Sequence, residues 1–299
     1  MPGSSAPGPP RLGGHLGLSS PDAPLLAHLG RSAAPLDQIN ALAAHGFAGV
    51  QDLFMKMRPP QEQAAMAARM KQHGLVLSSI GGDPFHWNTP LWSRTDDAAV
   101  QMQADSIRES AAIARCFGGA GAVCVAGLDP DRAMASQLTA MAENLKRAAV
   151  QAAEAGLVLL IEPIAPVRIP GMLLDRIEPA MEIVHAVAMP SVRLLFDIGH
   201  VAMMGHAVAD ALRQCASAIG LIQAADIPDR VDIGLGTLDW QAILATIRAI
   251  GYAGILELEY EPADQTAAGE AAMLTRLGAT LDMPWRVSAP APSASSSSG

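Results

Sequence analysis

Four stretches, LVLLIEP (157–163), VRLLFDIGH (192–200), IGLIQAAD (219–226) and GILELEYEP (254–262), each run through apolar, strand-like residues and end on polar side chains. The polar residues are Glu162, Asp197 with His200 three positions on, Gln223 and Glu259. Each stretch is followed by a segment with helical spacing. Such a series is expected when parallel strands close into a barrel whose C-terminal ends share one pocket. Three carboxylates and an amide brought together repel one another and are costly to bury unless a positive charge sits among them. A divalent metal is the simplest such charge, and the expected ligands are Glu162, Asp197, Gln223 and Glu259. An all-oxygen set favours Mg or Mn, with Co and Zn as alternatives.

The same rhythm extends upstream. Apolar runs at 15–19, 48–54, 75–80 and 120–127 precede the four already quoted, and Ala-rich helix formers lie between and after them. Several of those helical stretches close on Gly, a common C-terminal stop. Eight alternations predict an α/β protein, a (β/α)8 barrel. An open doubly wound sheet would usually carry a glycine-rich first turn, and HLGLSSPDAP (15–24) is not one. Residues 1–11 and 288–299 are rich in Pro, Gly, Ser and Ala and are expected to be disordered tails around a single domain spanning 12–287.

Composition narrows the function. Half of the 299 residues are apolar, enough for one large core. The net charge of −9 argues against a nucleic-acid partner, which needs a clustered basic face. No apolar stretch spans a bilayer and no basic amphipathic helix is present, so no membrane partner is expected. The N-terminus lacks a secretory core. Cys116, Cys124 and Cys215 are odd in number and scattered, as reduced thiols of a cytoplasmic protein would be.

Individually the site residues are ambiguous. A carboxylate at a strand end is often a helix N-cap, and it is the repetition over four consecutive strands that points to a metal. His200 is expected in the loop after its strand, near the metal but not on it. Glu257 shares a face with Glu259 one layer deeper, where a structural hydrogen bond or ion pair is the expected role. Lys56 and Arg58 are expected to be solvated charges, and His15 a core histidine. The long loop GGDPFHWNTPLW (81–92) brings two tryptophans to the catalytic face of an aromatic-poor chain.

Taken together, IEPI (161–164), FDIGH (196–200), LIQAADIPDR (221–230), GLGTLDW (234–240) and LELEYEP (256–262) resemble hydroxypyruvate isomerase and its relatives among the xylose-isomerase-like TIM barrels, the sugar phosphate isomerase/epimerase group. The resemblance is dense from about 157 to 262 and weaker upstream. It implies one divalent metal on the counterparts of Glu162, Asp197, Gln223 and Glu259, with Glu162 and Glu259 as the catalytic acid/base pair. It also allows a homo-oligomer. The sequence departs from the family pattern at Gly199, where an aromatic is usual, at Thr237, where a carboxylate is usual, and at Gln51, where Glu is common.

The implied chemistry is an aldose–ketose-type isomerisation of a small sugar or hydroxy-oxo acid in carbohydrate metabolism. Hydroxypyruvate to tartronate semialdehyde, or a related oxo-acid sugar, is the leading expectation. His200 is expected to orient a substrate oxygen, and Arg230 to hold a substrate carboxylate by a bidentate contact. A ketose 3-epimerase is the alternative, although Gln223 stands where that branch usually has His. A non-catalytic sugar-acid-binding barrel is a further alternative. A repair endonuclease on this fold would need more histidine ligands and a basic groove.

Overall fold

The computed structural model describes residues 10–282. Eight parallel strands form a closed barrel in sequential order, each pairing with the next and β8 with β1. The order is β1 (Arg11–His15), α1 (Pro35–Ala44), β2 (Gly49–Asp52), α2 (Pro60–His73), β3 (Val76–Gly81), α3 (Asp97–Phe117), β4 (Ala120–Cys124), α4 (Met134–Glu154), β5 (Leu157–Ile161), α5 (Ile177–Val187), β6 (Val192–Asp197), α6 (Ile198–Met203), α7 (Val208–Cys215), β7 (Ile219–Ala224), α8 (Trp240–Ala249), β8 (Ile255–Leu258) and α9 (Ala267–Thr280).

Alternation along the strands sorts the core into two layers. Ile161, Phe196, Ile222 and Leu256 face outward and join the large cluster between sheet and helices. Val123, Leu160, Leu195, Leu221 and Ile255 form a separate cluster with partly buried Ala48, Leu53, Val125 and Val158 packed on it, the pattern of a barrel filled by layers of inward side chains. Two glycines make room for it. A Cβ at Gly121 would stand 2.4 Å from a Leu160 methyl, and one at Gly13 would stand 2.7 Å from an Ile255 methyl.

Side-chain caps start several helices: Asp96 accepts from Ala99 N, Asp239 from Ala242 N and Thr266 from Gly269 N. Gly74 (φ 69°) and Gly118 (φ 79°) end α2 and α3 in the left-handed conformation.

Three expectations shift. The first strand is Arg11–His15, not 15–19. Its two glycines disguise it, because Gly is depleted in strands unless a neighbour needs the space. Of the residues read as tails, 1–9 and 288–299 lie outside the described residues, whereas Arg11 opens β1. His200 lies in the short helix α6 and not in a loop, because Asp197 caps that helix through the His200 N–H at 2.7 Å. The cysteines are free; Cys124 and Cys215 are buried and Cys116 is exposed. No helix among the described residues is long and apolar enough to cross a membrane.

Candidate active site at the C-terminal mouth of the barrel

The alternation that fills the barrel also aims the polar groups. Leu160, Leu195, Leu221 and Ile255 point inward, so the residues two positions on, Glu162, Asp197, Gln223 and Glu257, point inward one layer nearer the mouth. Glu259 follows Glu257 on the same face. Asp197 pairs with Gln223, and Gln223 with Glu257, across neighbouring strands. Glu162 and Glu259 are the first residues after β5 and β8, but the ladder carries through them: Glu162 N donates to Cys124 O (3.3 Å) and Glu259 N to Ala224 O (3.0 Å). Glu162, Asp197, His200 and Gln223 are all buried, and Glu162, His200, Gln223, Arg230 and Glu259 line one cavity of about 640 Å³.

Asp197 is the most fully engaged of them. Its Oδ1 accepts from His200 N (2.7 Å) and from Arg230 Nη1 (2.9 Å), and its Oδ2 accepts from Arg230 Nη2 (2.8 Å). Arg230 Nη2 also donates to the Glu259 carbonyl at 2.9 Å. Burial would raise the Asp197 carboxyl, but the Arg230 charge and the His200 contacts outweigh it and hold it at about 2. The bidentate contact expected between Arg230 and a substrate is thus made with Asp197. Two buried ions left apart would each carry an uncompensated desolvation cost. A guanidinium has five N–H groups; Nε and one hydrogen of Nη1 remain for a substrate oxygen.

The other carboxylates lack such compensation. Burial, then the charges of Glu259 and Asp197, push Glu162 well above the ordinary range. Burial raises Glu259 to about 8 against the opposing charge of Arg230. Gln223 Oε1 is buried without a hydrogen-bond partner among the described residues, and the Gln51 side chain offsets the shift of Glu259 only in small part. Gln223 is oriented from below: its Nε2 donates to Glu257 Oε2 at 3.0 Å, the same oxygen that accepts from Ser79 Oγ at 3.0 Å. Glu257 therefore has a hydrogen-bonding role, and its grip on the amide nitrogen leaves the Gln223 oxygen to the site.

Glu162, Asp197 and His200 each bring one potential ligand atom within 4.8 Å of the others, a spacing that can accommodate a metal ion. The imidazole has a further constraint. Burial lowers His200 to about 4, so the ring is neutral near pH 7. Its Nδ1 accepts from Ala165 N at 3.3 Å, which places the ring hydrogen on Nε2. Nε2, 3.8 Å from Glu162 Oε1, is then a donor facing the cavity and has no free lone pair for a metal.

The loop after β7 holds Arg230 in place, and Asp226 organises it. Asp226 Oδ1 accepts from Ile227 N (2.9 Å) and Leu238 N (3.1 Å), and Oδ2 from Gly234 N (3.0 Å) and Trp240 Nε1 (2.8 Å). Asp229 (φ 67°) and Arg230 (φ 58°) adopt the left-handed conformation, which persists in non-glycine residues only where the surroundings over-determine it. A Cβ at Gly236 would stand 2.3 Å from Asp226 Oδ1, so that position requires glycine. The Asp→Asn change at 226 turns one acceptor into an amide facing two N–H donors. It is expected to cost about 2–4 kcal/mol, read as a lower urea midpoint with an unchanged slope. A midpoint equal to that of the unaltered protein would show that the loop is held by other contacts.

Several residues differ from their sequence reading. Lys56 and Arg58 are not solvated charges. Lys56 Nζ is buried against the Gly82 carbonyl and donates to Ser106 O (2.8 Å) and Oγ (2.9 Å), and Arg58 pairs with buried Asp52. Gly199 and Thr237 do not line the cavity. A Cβ at 199 would lie 3.1 Å from Arg230 Nη1 and 3.2 Å from Asp197 Oδ1, so the glycine leaves the guanidinium room over the first turn of α6. His15 is a core histidine, with Nε2 3.0 Å from the Tyr260 carbonyl. Asp83, Pro84 and Trp87 of the long loop line the cavity, and Trp92 is buried. The sequence reading passed over Arg168, which also lines the cavity. Its position in the loop leaving Glu162 was the available signal.

An eight-stranded parallel barrel whose last four strands bring three carboxylates and an amide to their C-terminal ends defines a class of TIM barrels with a site that could hold a metal. A family profile described as xylose isomerase-like TIM barrel matches residues 39–277. The chain is 32% identical over 240 residues to the 2-oxo-tetronate isomerase of Cupriavidus necator, covering 78% of this chain and 90% of that protein. It is 30% identical over 241 residues to the hydroxypyruvate isomerase of Escherichia coli, with the same two coverages, 78% and 90%. Among solved structures, a family 2 AP endonuclease from Brucella melitensis superposes with a TM-score of 0.74 at 22% identity, covering 89% of this chain and 98% of the other. That similarity speaks to the fold alone. The chain belongs to the xylose isomerase-like TIM-barrel family, and curated relatives spanning most of its length are isomerases of short oxo acids by name.

Proposed function

We propose that this protein is a divalent-metal-dependent isomerase that moves a carbonyl along a short hydroxy-oxo acid. The leading substrates are hydroxypyruvate, giving tartronate semialdehyde, and a 2-oxo-tetronate. One observation carries the reading. The inward parity of four consecutive strands brings Glu162, Asp197, Gln223 and Glu259 to one mouth, where Gln223 Oε1 is buried with no hydrogen-bond partner among the described residues. A buried orphan acceptor beside mutually repelling carboxylates suits a cation. Oxygen donors suit Mg or Mn, with Co and Zn as alternatives. His200 is left out of the ligand set because its Nε2 bears the hydrogen.

In the reaction a proton leaves the carbon bearing the hydroxyl and arrives at the neighbouring carbonyl carbon, while the hydroxyl proton passes to the former carbonyl oxygen. The metal, when bound, supplies positive charge where the oxygens of an enediolate become negative. Glu162 and Glu259 exchange the proton with the two carbons. In the metal-free fold burial raises the Glu259 carboxyl to about 8; a cation beside it would lower that value and leave the carboxylate free to take a proton. His200 Nε2 donates toward a substrate oxygen. Arg230 holds Asp197 ionised and in register at the edge of the cavity it lines. Val123, Val125, Ile164 and Trp87 supply an apolar wall that excludes water from the carbanionic centre.

The test is chelator-stripped protein resupplied with single divalent ions and assayed on hydroxypyruvate, 2-oxo-tetronates and neutral ketoses. Mg or Mn is expected to restore conversion of the oxo acids. Turnover of ketoses alone would move the protein to the epimerase branch, and no turnover with any ion would leave only a binding barrel.

A further inference from the structure

We propose that Arg168 is the carboxylate anchor of this site, the residue that selects short 2-oxo acids over neutral sugars; the proposal deepens the isomerase reading and rests on it. It starts from a count of positive charge. Among the described residues, two cationic side chains line the cavity, Arg168 and Arg230. Arg230 is committed to Asp197 through both terminal nitrogens and to the Glu259 carbonyl. Its charge is neutralised where it stands.

Arg168 is the opposite case. Its side chain is exposed and has no ion-pair or hydrogen-bond partner among the described residues. The five acidic residues lining the same cavity are Asp83, Glu162, Asp229, Glu259 and Glu261. Among the described residues lining the cavity, Arg168 is therefore the cationic side chain left uncommitted for an entering anion.

The backbone under Arg168 is held firmly. Arg168 N and Ile169 N both donate to Ala165 O (2.9 and 3.1 Å). Ile164 N bonds Leu174 O and Leu173 N bonds Ala126 O, both at 2.8 Å. Ala165 N is also the donor to His200 Nδ1. One tight turn thus leaves the proposed acid/base Glu162, orients His200 and presents Arg168, and the Arg168 charge is felt at the His200 ring. A fork of N–H donors matches a carboxylate in two parallel bonds. A substrate whose carboxylate reaches Arg168 extends its hydroxy-carbonyl end toward His200 and the buried carboxylates. A neutral ketose of the same length has nothing to offer that guanidinium.

The experiment compares R168Q, R168K and the unaltered protein, all loaded with Mg or Mn. Two readouts are used: kinetics on hydroxypyruvate, and calorimetric binding of D-glycerate, which carries the carboxylate and hydroxyls but no carbonyl. Arg168 lies at the surface, so R168Q is expected to fold. Loss of a charge-assisted pair should raise KM about 10- to 150-fold with kcat within about threefold, and weaken glycerate binding by a similar factor. R168K should recover part of the loss, and KM for any ketose that is turned over should not move. Unchanged KM and unchanged glycerate affinity in R168Q, with turnover of hydroxypyruvate intact, overturns the anchor and leaves the isomerase. Glycerate binding that depends on Arg168 in a protein that isomerises nothing overturns the isomerase and leaves the anchor. A protein that neither binds glycerate nor turns over an oxo acid overturns both.

Discussion

Replacing Glu162 or Glu259 by Gln is expected to lower kcat by about a thousandfold or more while the barrel stays folded. Gln keeps the shape of each side chain and removes its capacity to take or give a proton, a loss worth about 10²–10⁴ in rate. Each change also replaces a carboxylate of the proposed metal shell with a neutral amide, so ion affinity should fall in both variants. Stability should not fall with activity. Burial and the neighbouring charges push Glu162 well above its ordinary range, and burial raises Glu259 to about 8, so each ionised carboxylate is under strain in the metal-free fold. Removing one of them relieves repulsion. Circular dichroism and thermal unfolding check the fold, and single-turnover assays at saturating ion check the rate. Activity within tenfold of the unaltered enzyme in either variant would remove that glutamate from the acid/base pair.

The metal-free protein should lose stability as pH rises from about 6.5 to 8.5, and a divalent ion should reverse that trend. The direction follows from the shifts. A folded-state pKa raised above its ordinary value contributes stability below the ordinary value and loses it as pH climbs through the raised one. Glu259, with an ordinary value of 4.5 and a folded value of about 8, and Glu162, also raised, behave in this way. Buried histidines act in the other direction. Burial lowers His15 and His200 from 6.5 to about 4, so they contribute stability above 6.5 that is lost between 6.5 and 4. The two windows leave the range above 6.5 to the glutamates. Asp197, held at about 2, adds a further loss only below its ordinary value of 3.8.

An ion bound to ionised carboxylates competes with protons, so its effect should be greatest at the alkaline end. At a hundred times its Kd it adds about 2.7 kcal/mol, about 5–10 °C in Tm for a chain of this size. Thermal scans of stripped and ion-loaded protein from pH 5 to 9 test both halves. An apoprotein Tm that rises steadily to pH 8.5, with no ion-dependent shift there, would show that these carboxylates neither repel one another nor gather a cation.

Much of this site could be read before any coordinates. Glu162, Asp197 and Gln223 each stand two residues beyond an inward apolar residue, and period-two alternation then aims them at the barrel axis without further information. The ambiguity over Asp197 dissolves in an unexpected way, because it caps α6 and also faces the centre. Other residues were not legible. RLGGH looks like a loop because Gly13 answers to Ile255 and Glu257, more than two hundred positions away, and Gly14 to Leu25, Leu42 and Phe47. Lys56 looks solvated because nothing near it in sequence reveals the Gly82 and Ser106 acceptors.

The chain alone is enough to specify a closed (β/α)8 barrel and which polar side chains reach its mouth, since both depend on local period and on the count of repeats. Which groups pair there is a matter of distances between strands and loops. That Arg230 neutralises Asp197, that Glu257 orients Gln223, that His200 presents a donor, and that Arg168 is left unmatched all follow from contacts across 33 to 35 residues or from their absence among the described residues. Charges a few ångströms apart interact far more strongly than sequence spacing can indicate, so their partners emerged only when the barrel closed.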